Sequence, residues 1–426
     1  MSVSMRCERP ELAGTRVERK VASWFRQELR PANRDRHRPA TIYVNGRFLQ
    51  QPITGIQRYG RELLRVWDEL IDSGEIDSDQ VAIEVLVPRA KVDAPKLRHI
   101  KVRQVGRFKG QLWTQFELPA QSRDGLLFSP DNLQPLLAPL LGPSVVTIHD
   151  LTFKLFPRAH TTPFRLLYGL LISNGIRNAK ALITGTEAER TNIVDHYPGA
   201  RDRIAVVHLG ARSEELVAAN QAEKRNNKPT ERYILWVGSL ISRKNPQGAI
   251  DAAALVNRQM RLPLILVGSG HRGMQKPEIR IPDNDGVVQF VNRVGSSDDV
   301  ITLYRNAVCL LFPTFYEGFG LPALEAMEYG CPVITSDIPV MREVCGDAAL
   351  YCDPNNPSDI ADKVTILAEN SELREKLRRR GLRRAAQFSW ERCARETFEV
   401  LHRVITGGAA DRPNGDGIQR RSIIKS

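Results

Sequence analysis

Residues 315–337, FYEGFGLPALEAMEYGCPVITSD, constrain the fold more than any other stretch of this 426-residue chain. The apolar run 308–312, VCLLF, reads as a buried strand. Gly318 and Gly320 then break the run. Pro322 falls at the first helical position, where its missing N–H costs no hydrogen bond. Residues 323–329 are helix formers, and Gly330 supplies a C′ stop. A second apolar run, 331–335, follows. The order strand, glycine loop, short helix, strand is a repeating unit of α/β sheets.

That order has a chemical use. The backbone N–H groups of Gly318, Phe319, Gly320 and Leu321 face outward at a helix start, where the helix dipole favours an anion such as a diphosphate. Glu325, one turn into the helix, can accept two hydrogen bonds from a vicinal diol. Glu317, in the loop, can reach a second polyol. A phosphate between two hydroxyl-bearing groups describes a nucleotide sugar. A lone glutamate pair in a βαβ unit is more often two surface carboxylates.

The full string is more specific. EGFGLPALEAM, with its two glutamates and its glycines and proline at these spacings, resembles the signature of the retaining glycosyltransferases of family 4, which have the GT-B fold. The likeness continues to Asp353 through PVITSDIPVMREVCGDAALYCDP. It implies two Rossmann-like domains facing each other across a cleft. It also implies that Glu317 contacts the donor sugar near the reacting carbon and that Glu325 binds the ribose.

Composition sets the frame around this unit. The length allows two domains, each with its own core. No apolar run approaches a membrane span, and no apolar leader opens the chain, so a cytoplasmic protein is expected. The six cysteines show no CxxC spacing and lie mostly in apolar runs, as reduced, buried thiols do. A net charge of +12 calls for an anionic partner. Nucleic acid is the weakest candidate, since no recognisable binding module appears, and phosphorylated substrate or anionic lipid fits better; solvated surface arginine accounts for part of any such excess.

In chain order, residues 1–38 form a basic extension in which Val17, Val21, Trp24, Phe25 and Leu29 recur at helical spacing among arginines. Such a helix can lie on an anionic membrane. An N-terminal, acceptor-side Rossmann-like domain is expected over 39–212. It opens with the strand 41–45 and a helix over 57–70, with Gly55 just before the helix. This glycine resembles the one the family places beside the donor phosphates. Apolar strands at 126–130 and 145–149 end in polar residues, where ligands bind in open α/β sheets. His149, in HDL after such a strand, resembles the family's active-site histidine, which hydrogen-bonds the donor sugar and lines the acceptor cleft. Residues 164–177 read as a helix apolar on most faces, suited to core or to an acceptor-side surface. Thr186 and Glu187 cap the helix after the strand 181–184. His208, in the apolar run 206–210, reads as a structural strand residue.

A polar linker, 213–231, leads to the donor-binding Rossmann-like domain, 232–387. Gly238 and Ser239 follow its first strand, and Arg243 and Lys244 stand before the next helix, where cations meet phosphate. They resemble the family's diphosphate-binding basic residues, although many members carry arginine where this chain has Ser239. The helix 388–406 is expected to cross back to the first domain, before a disordered tail, 407–426.

GSGHRG at 268–273 fits GxGxxG, but Pro277 and Pro282 stand where a dinucleotide-binding helix would run. The DxD strings ending at Asp79 and Asp285 read as turns, so neither a catalytic metal nor a cofactor is expected. The expectation is a metal-independent retaining hexosyltransferase with His149, Glu317, Arg243 and Lys244 at the reaction centre. Its acceptor would be a lipid-linked oligosaccharide. GSLISRKN and TGIQRY resemble bacterial surface-polysaccharide enzymes, many of which use GDP-mannose. A UDP sugar, a dinucleotide-dependent enzyme and a silent membrane scaffold are the alternatives.

Overall fold

The structure is a computed structural model that describes residues 39–157, 161–211, 232–268, 278–281, 287–291 and 297–407. The basic N-terminal extension, the linker, the Asp283–Asp285 string, most of the GSGHRG string and nearly all of the tail therefore lie outside the described residues.

Two parallel sheets organise the chain. The first holds β1 (Ala40–Asn45), β2 (Val81–Val87), β3 (Lys101–Gln104), β4 (Leu126–Ser129), β5 (Ser144–Thr147), β6 (Ala181–Thr184) and β7 (Ile204–Val206), in the order β3-β2-β1-β4-β5-β6-β7. The second holds β8 (Ile234–Val237), β9 (Leu264–Val267), β10 (Val288–Val291), β11 (Cys309–Phe312), β12 (Val333–Ser336) and β13 (Ala349–Cys352), in the order β10-β9-β8-β11-β12-β13. Every residue of β4, β5, β11 and β12 is buried, because crossover helices cover both faces of each sheet. That is why these strands, LLFS, SVVT, CLLF and VITS, carry no charged residue.

The order reverses between β1 and β4 in one sheet and between β8 and β11 in the other. At such a switch point neighbouring loops leave in opposite directions and open a crevice at the strand C-termini. The loops after β8 and β11 carry Gly238 to Lys244 and Glu317 to Gly320, so the second sheet brings both groups to one crevice.

The sheets are joined by the last helix. Ser389 caps Trp390–Thr406 by accepting from the Arg392 amide. The helix crosses onto the first domain, where the buried Trp67 indole N–H donates to the Ala394 carbonyl at 2.9 Å and Arg395 pairs with Glu75. Cys309, Cys331, Cys345, Cys352 and Cys393 are buried free thiols. Among the described residues no helix is long and apolar enough to cross a membrane.

Two local readings are corrected. The first helix spans Gly55–Asp72, so Gly55 is its first residue and Thr54 its cap. His208 lies beyond β7, not in a strand. β6 ends at Thr184, and after the Val207 amide donates to the Thr184 carbonyl the edge offers His208 no further partner.

Candidate active site

The site is built from two loops of the second domain and the ends of β1 and β5 in the first. Asn245 stands in the left-handed region at φ 51° and caps Pro246–Met260, its side chain accepting from the Gly248 amide. This tight turn throws Arg243 and Lys244 back toward β11 instead of out to solvent. There the Arg243 carbonyl accepts from the Phe315 amide at 2.9 Å and the Thr314 hydroxyl at 3.1 Å. Its guanidinium donates to the Tyr316 carbonyl. The two loops are thus one hydrogen-bonded unit.

Glu317 sits at the centre of that unit and is buried. One carboxylate oxygen lies 2.7 Å from Lys244 Nζ and 3.1 Å from Arg243 Nη1, and it accepts from the Thr314 hydroxyl at 3.1 Å. Burial alone would raise this carboxyl, but the two cations outweigh it and hold Glu317 below the usual carboxylate range. Burial pulls Lys244 below its ordinary value against the pull of Glu317, and its Nζ lies 4.9 Å from the Phe312 ring centre. The three sequence-read residues Glu317, Arg243 and Lys244 are therefore one charge cluster with a net positive charge. It is suited to holding an anion beside a fixed carboxylate.

The glycine loop meets the first domain directly. A Cβ on Gly318 would fall 1.9 Å from the His149 carbonyl oxygen, so only glycine fits there. Gly320, at φ 94°, caps the helix Leu321–Glu328 from the left-handed region, so Pro322 stands at the second helical position and not the first as expected, still within the turn whose N–H groups lack helical partners. The N-termini of two helices adjoin here, since a Cβ on Gly55 would fall 3.2 Å from Leu321 Cδ1, and the positive end of each dipole lies at its own N-terminus.

His149 follows β5. Its Nε2–H donates to the Pro130 carbonyl at 2.7 Å, which leaves Nδ1 as the acceptor of a neutral ring. Burial lowers its pKa, although the Pro130 bond raises it in part, and the Tyr59 ring stands edge-on at 5.0 Å. Gly238 and Ser239 leave β8 at the rim of the crevice; the Gly238 amide is held by the Val267 carbonyl at 3.0 Å, and the Ser239 carbonyl accepts from Ile241 at 2.8 Å. Phe319 is buried against Phe388 and His208 instead of facing the crevice.

Several residues of the site are not apparent from local patterns. The Glu325 carboxylate accepts from the Tyr304 hydroxyl at 3.2 Å and pairs with Arg58 from the first domain's Gly55–Asp72 helix. Tyr316 donates to Glu189 Oε2 at 2.6 Å and accepts from the Leu151 amide at 3.0 Å. Glu343 accepts from the Glu187 and Ala188 amides at 2.8 and 2.9 Å and lies 3.0 Å from His208 Nε2. Thr186 caps its helix as expected and also donates to the Gly318 carbonyl at 3.2 Å. Arg58 lies inside the TGIQRY string and Tyr316 inside FYEGFG, which is the one signal the sequence holds for them. Asp77 accepts from the Asp79 amide and from Gln80 in an exposed turn, away from the crevice.

Two all-parallel domains joined by a returning helix, with a charged crevice at facing strand ends, define a GT-B architecture. The match to known proteins agrees. Residues 218–384 match the family described as glycosyl transferases group 1. An O-antigen chain mannosyltransferase B from Escherichia coli is 32% identical over 268 residues, covering 60% of this chain and 69% of that protein. The chain belongs to the glycosyl transferases group 1 family. Among solved structures, sucrose-phosphate synthase from Thermosynechococcus elongatus superposes with a TM-score of 0.62 at 16% identity, over 87% of this chain and 100% of that one. The Anabaena protein HepE, solved with UDP and glucose, superposes with a TM-score of 0.56 at 16% identity, over 85% of this chain and 99% of that one. At these identities the two structures speak to fold alone.

Proposed function

We propose that this glycosyltransferase moves mannose from GDP-mannose, with retention of configuration, to a lipid-linked oligosaccharide in cell-surface polysaccharide assembly. The observation that carries the reading is Glu317 held by Arg243 and Lys244 at the crevice, with the adjoining Gly318 against the His149 carbonyl. The O-antigen chain mannosyltransferase relative supports mannose as the sugar and a growing polysaccharide chain as the kind of acceptor. A UDP sugar is the second choice of donor.

In this reading the bond from the sugar's anomeric carbon to the diphosphate breaks, and its electron pair leaves with the diphosphate. Arg243, Lys244 and the amides of Gly318 to Leu321 take up the charge that develops. The acceptor oxygen bonds to the same carbon on the same face, and its proton passes to the departing phosphate oxygen. Glu317 and His149 orient the sugar, Glu325 holds the ribose, and Gly55 and Gly238 let the backbone approach the donor. Neither metal nor cofactor has a role in this scheme. The acceptor's lipid places the enzyme on the inner face of the plasma membrane, with residues 1–38 as one contact.

A panel of GDP and UDP sugars with a lipid-linked oligosaccharide tests it, read by product mass and by the anomeric coupling of the new linkage. A mass gain of one hexose from GDP-mannose with an α linkage is expected. An inverted linkage, or no transfer from any donor, overturns the reading.

A further inference from the structure

Of the thirteen large apolar side chains exposed among the described residues, eight fall on three segments of the first domain, 107–116, 136–141 and 161–170. Leu140 is 81% exposed, Leu166 66% and Leu112 58%, with Phe108, Phe116 and Leu170 beside them in sequence. Scattered exposed leucines are ordinary; this concentration is not.

The segments are laced into one face. Gln111 Nε2 donates to the Tyr168 hydroxyl at 3.3 Å, which ties the first to the third. The Leu136 amide donates to Gln115 Oε1 at 2.9 Å, which ties the second to the first. The helix Thr162–Asn178 buries Leu171, Ile172 and Ile176 against its domain but leaves Leu166, Leu167 and Leu170 outside. Its apolar character on most faces is thus shared between core and surface.

Charge decides what this face fits. The three segments hold Arg107, Lys109 and Arg165 and no Asp or Glu. The neighbouring Glu117 is buried, and its carboxylate is taken up by the Arg107 and Phe108 amides at 2.8 and 2.9 Å. Apolar side chains rimmed by cations with no exposed anion match an anionic lipid surface, where the apolar groups enter the acyl boundary and the cations meet headgroups. A second copy of the chain would set these cations against each other.

We infer that this face of the first domain, centred on Leu140, Leu166 and Leu170, docks on anionic membrane independently of residues 1–38. It is the membrane contact of the proposed function moved onto the folded body, and the measurement needs no donor, acceptor or turnover. The Thr162–Asn178 helix follows His149 by only a short segment, and Gly169 packs on Phe153 of that segment, so docking would bring the crevice to a lipid-linked acceptor.

The test is co-sedimentation of the full chain with vesicles of phosphatidylglycerol and phosphatidylcholine. Leu166→Asp/Leu170→Asp is compared with the parent, and Arg107→Ser/Lys109→Ser serves as a second variant. The parent is expected to bind anionic vesicles and not phosphatidylcholine alone. The leucine variant should lose at least about tenfold in partition with an unchanged melting temperature. The second variant should lose chiefly the salt-sensitive part of binding. Equal sedimentation of parent and leucine variant overturns the inference and leaves residues 1–38 as the anchor. A parent that is dimeric and turns monomeric in the leucine variant also overturns it, by showing that a second copy covers the face.

Discussion

The Tyr316 hydroxyl reaches from the second domain to donate to the buried Glu189 carboxyl of the first at 2.6 Å. The same oxygen accepts from Leu151, two residues beyond His149, while Tyr316 itself immediately precedes Glu317. One phenol therefore sets the distance between the two halves of the site. Burial holds the Glu189 proton up to about 8, against an ordinary value of 4.5. The native state then binds more protons than the unfolded chain between those two values, so this group's contribution to stability falls as pH rises through that window. Glu189→Gln keeps an acceptor for Tyr316 and removes the ionisation. Its melting temperature should gain on the parent more at about pH 9 than at about pH 5. A constant difference across that range would show that Glu189 does not titrate in the native protein.

Glu317 balances two buried cations, so its removal should be felt in the fold as well as in the chemistry. Breaking a buried ion pair by deleting one partner costs about 3–5 kcal/mol. Glu317→Ala should therefore lower the melting temperature and cut kcat by about a hundredfold or more. Glu317→Gln, which keeps the shape and an acceptor for Thr314, should lose comparable activity with less stability. Normal turnover in the glutamine variant would remove Glu317 from the sugar site.

Glu325 is held between Tyr304 and Arg58, and the ribose of the proposed donor would share its carboxylate with them. A ribose contact serves ground and transition states alike, so Glu325→Ala should raise the donor KM by about tenfold or more with little change in kcat. An unchanged donor KM would refute the ribose role.

Charge neutralisation by Arg243, Lys244 and backbone amides predicts that turnover survives excess EDTA. Activity that is lost to the chelator and restored by magnesium would require a metal in the step.

The fold was readable from the sequence because its strands are short, mostly apolar runs punctuated by Gly and Pro; the expected bounds of β6, 181–184, coincide with the observed ones. Gly55 and His208 were misplaced because a cap and a strand edge depend on what lies across from them. Glu317 came from one dense string and Arg243 and Lys244 from another earlier in the chain, and the structure brings them together. Arg58, Glu189 and Glu343 reach partners 267, 127 and 155 residues away across the domain boundary, and no periodicity encodes such pairs. Exposure of Leu140 and Leu166 was equally hidden, since an apolar helix reads the same in a core and on a surface.

Glu343 closes the interface from the other side. Its carboxylate caps the first domain's helix Glu187–His196 through two amides and meets His208. Burial raises this carboxyl, but His208 and the two amides outweigh that and leave its pKa below the ordinary 4.5. A depressed carboxyl contributes stability that is full above its unfolded pKa and is lost as pH falls through the lower folded value. Glu343→Gln keeps one acceptor and loses the charge, so it should cost about 1–2 kcal/mol at neutral pH. The cost should shrink steadily once the pH drops below about 4.5, as the parent also becomes neutral. Because the cap spans the two domains, the variant should also raise the donor KM, which a substitution confined to one domain's surface would leave alone. Melting curves across pH, paired with donor titration at neutral pH, measure both effects; a pH-independent loss, or an unchanged KM, would reduce Glu343 to an ordinary surface contact.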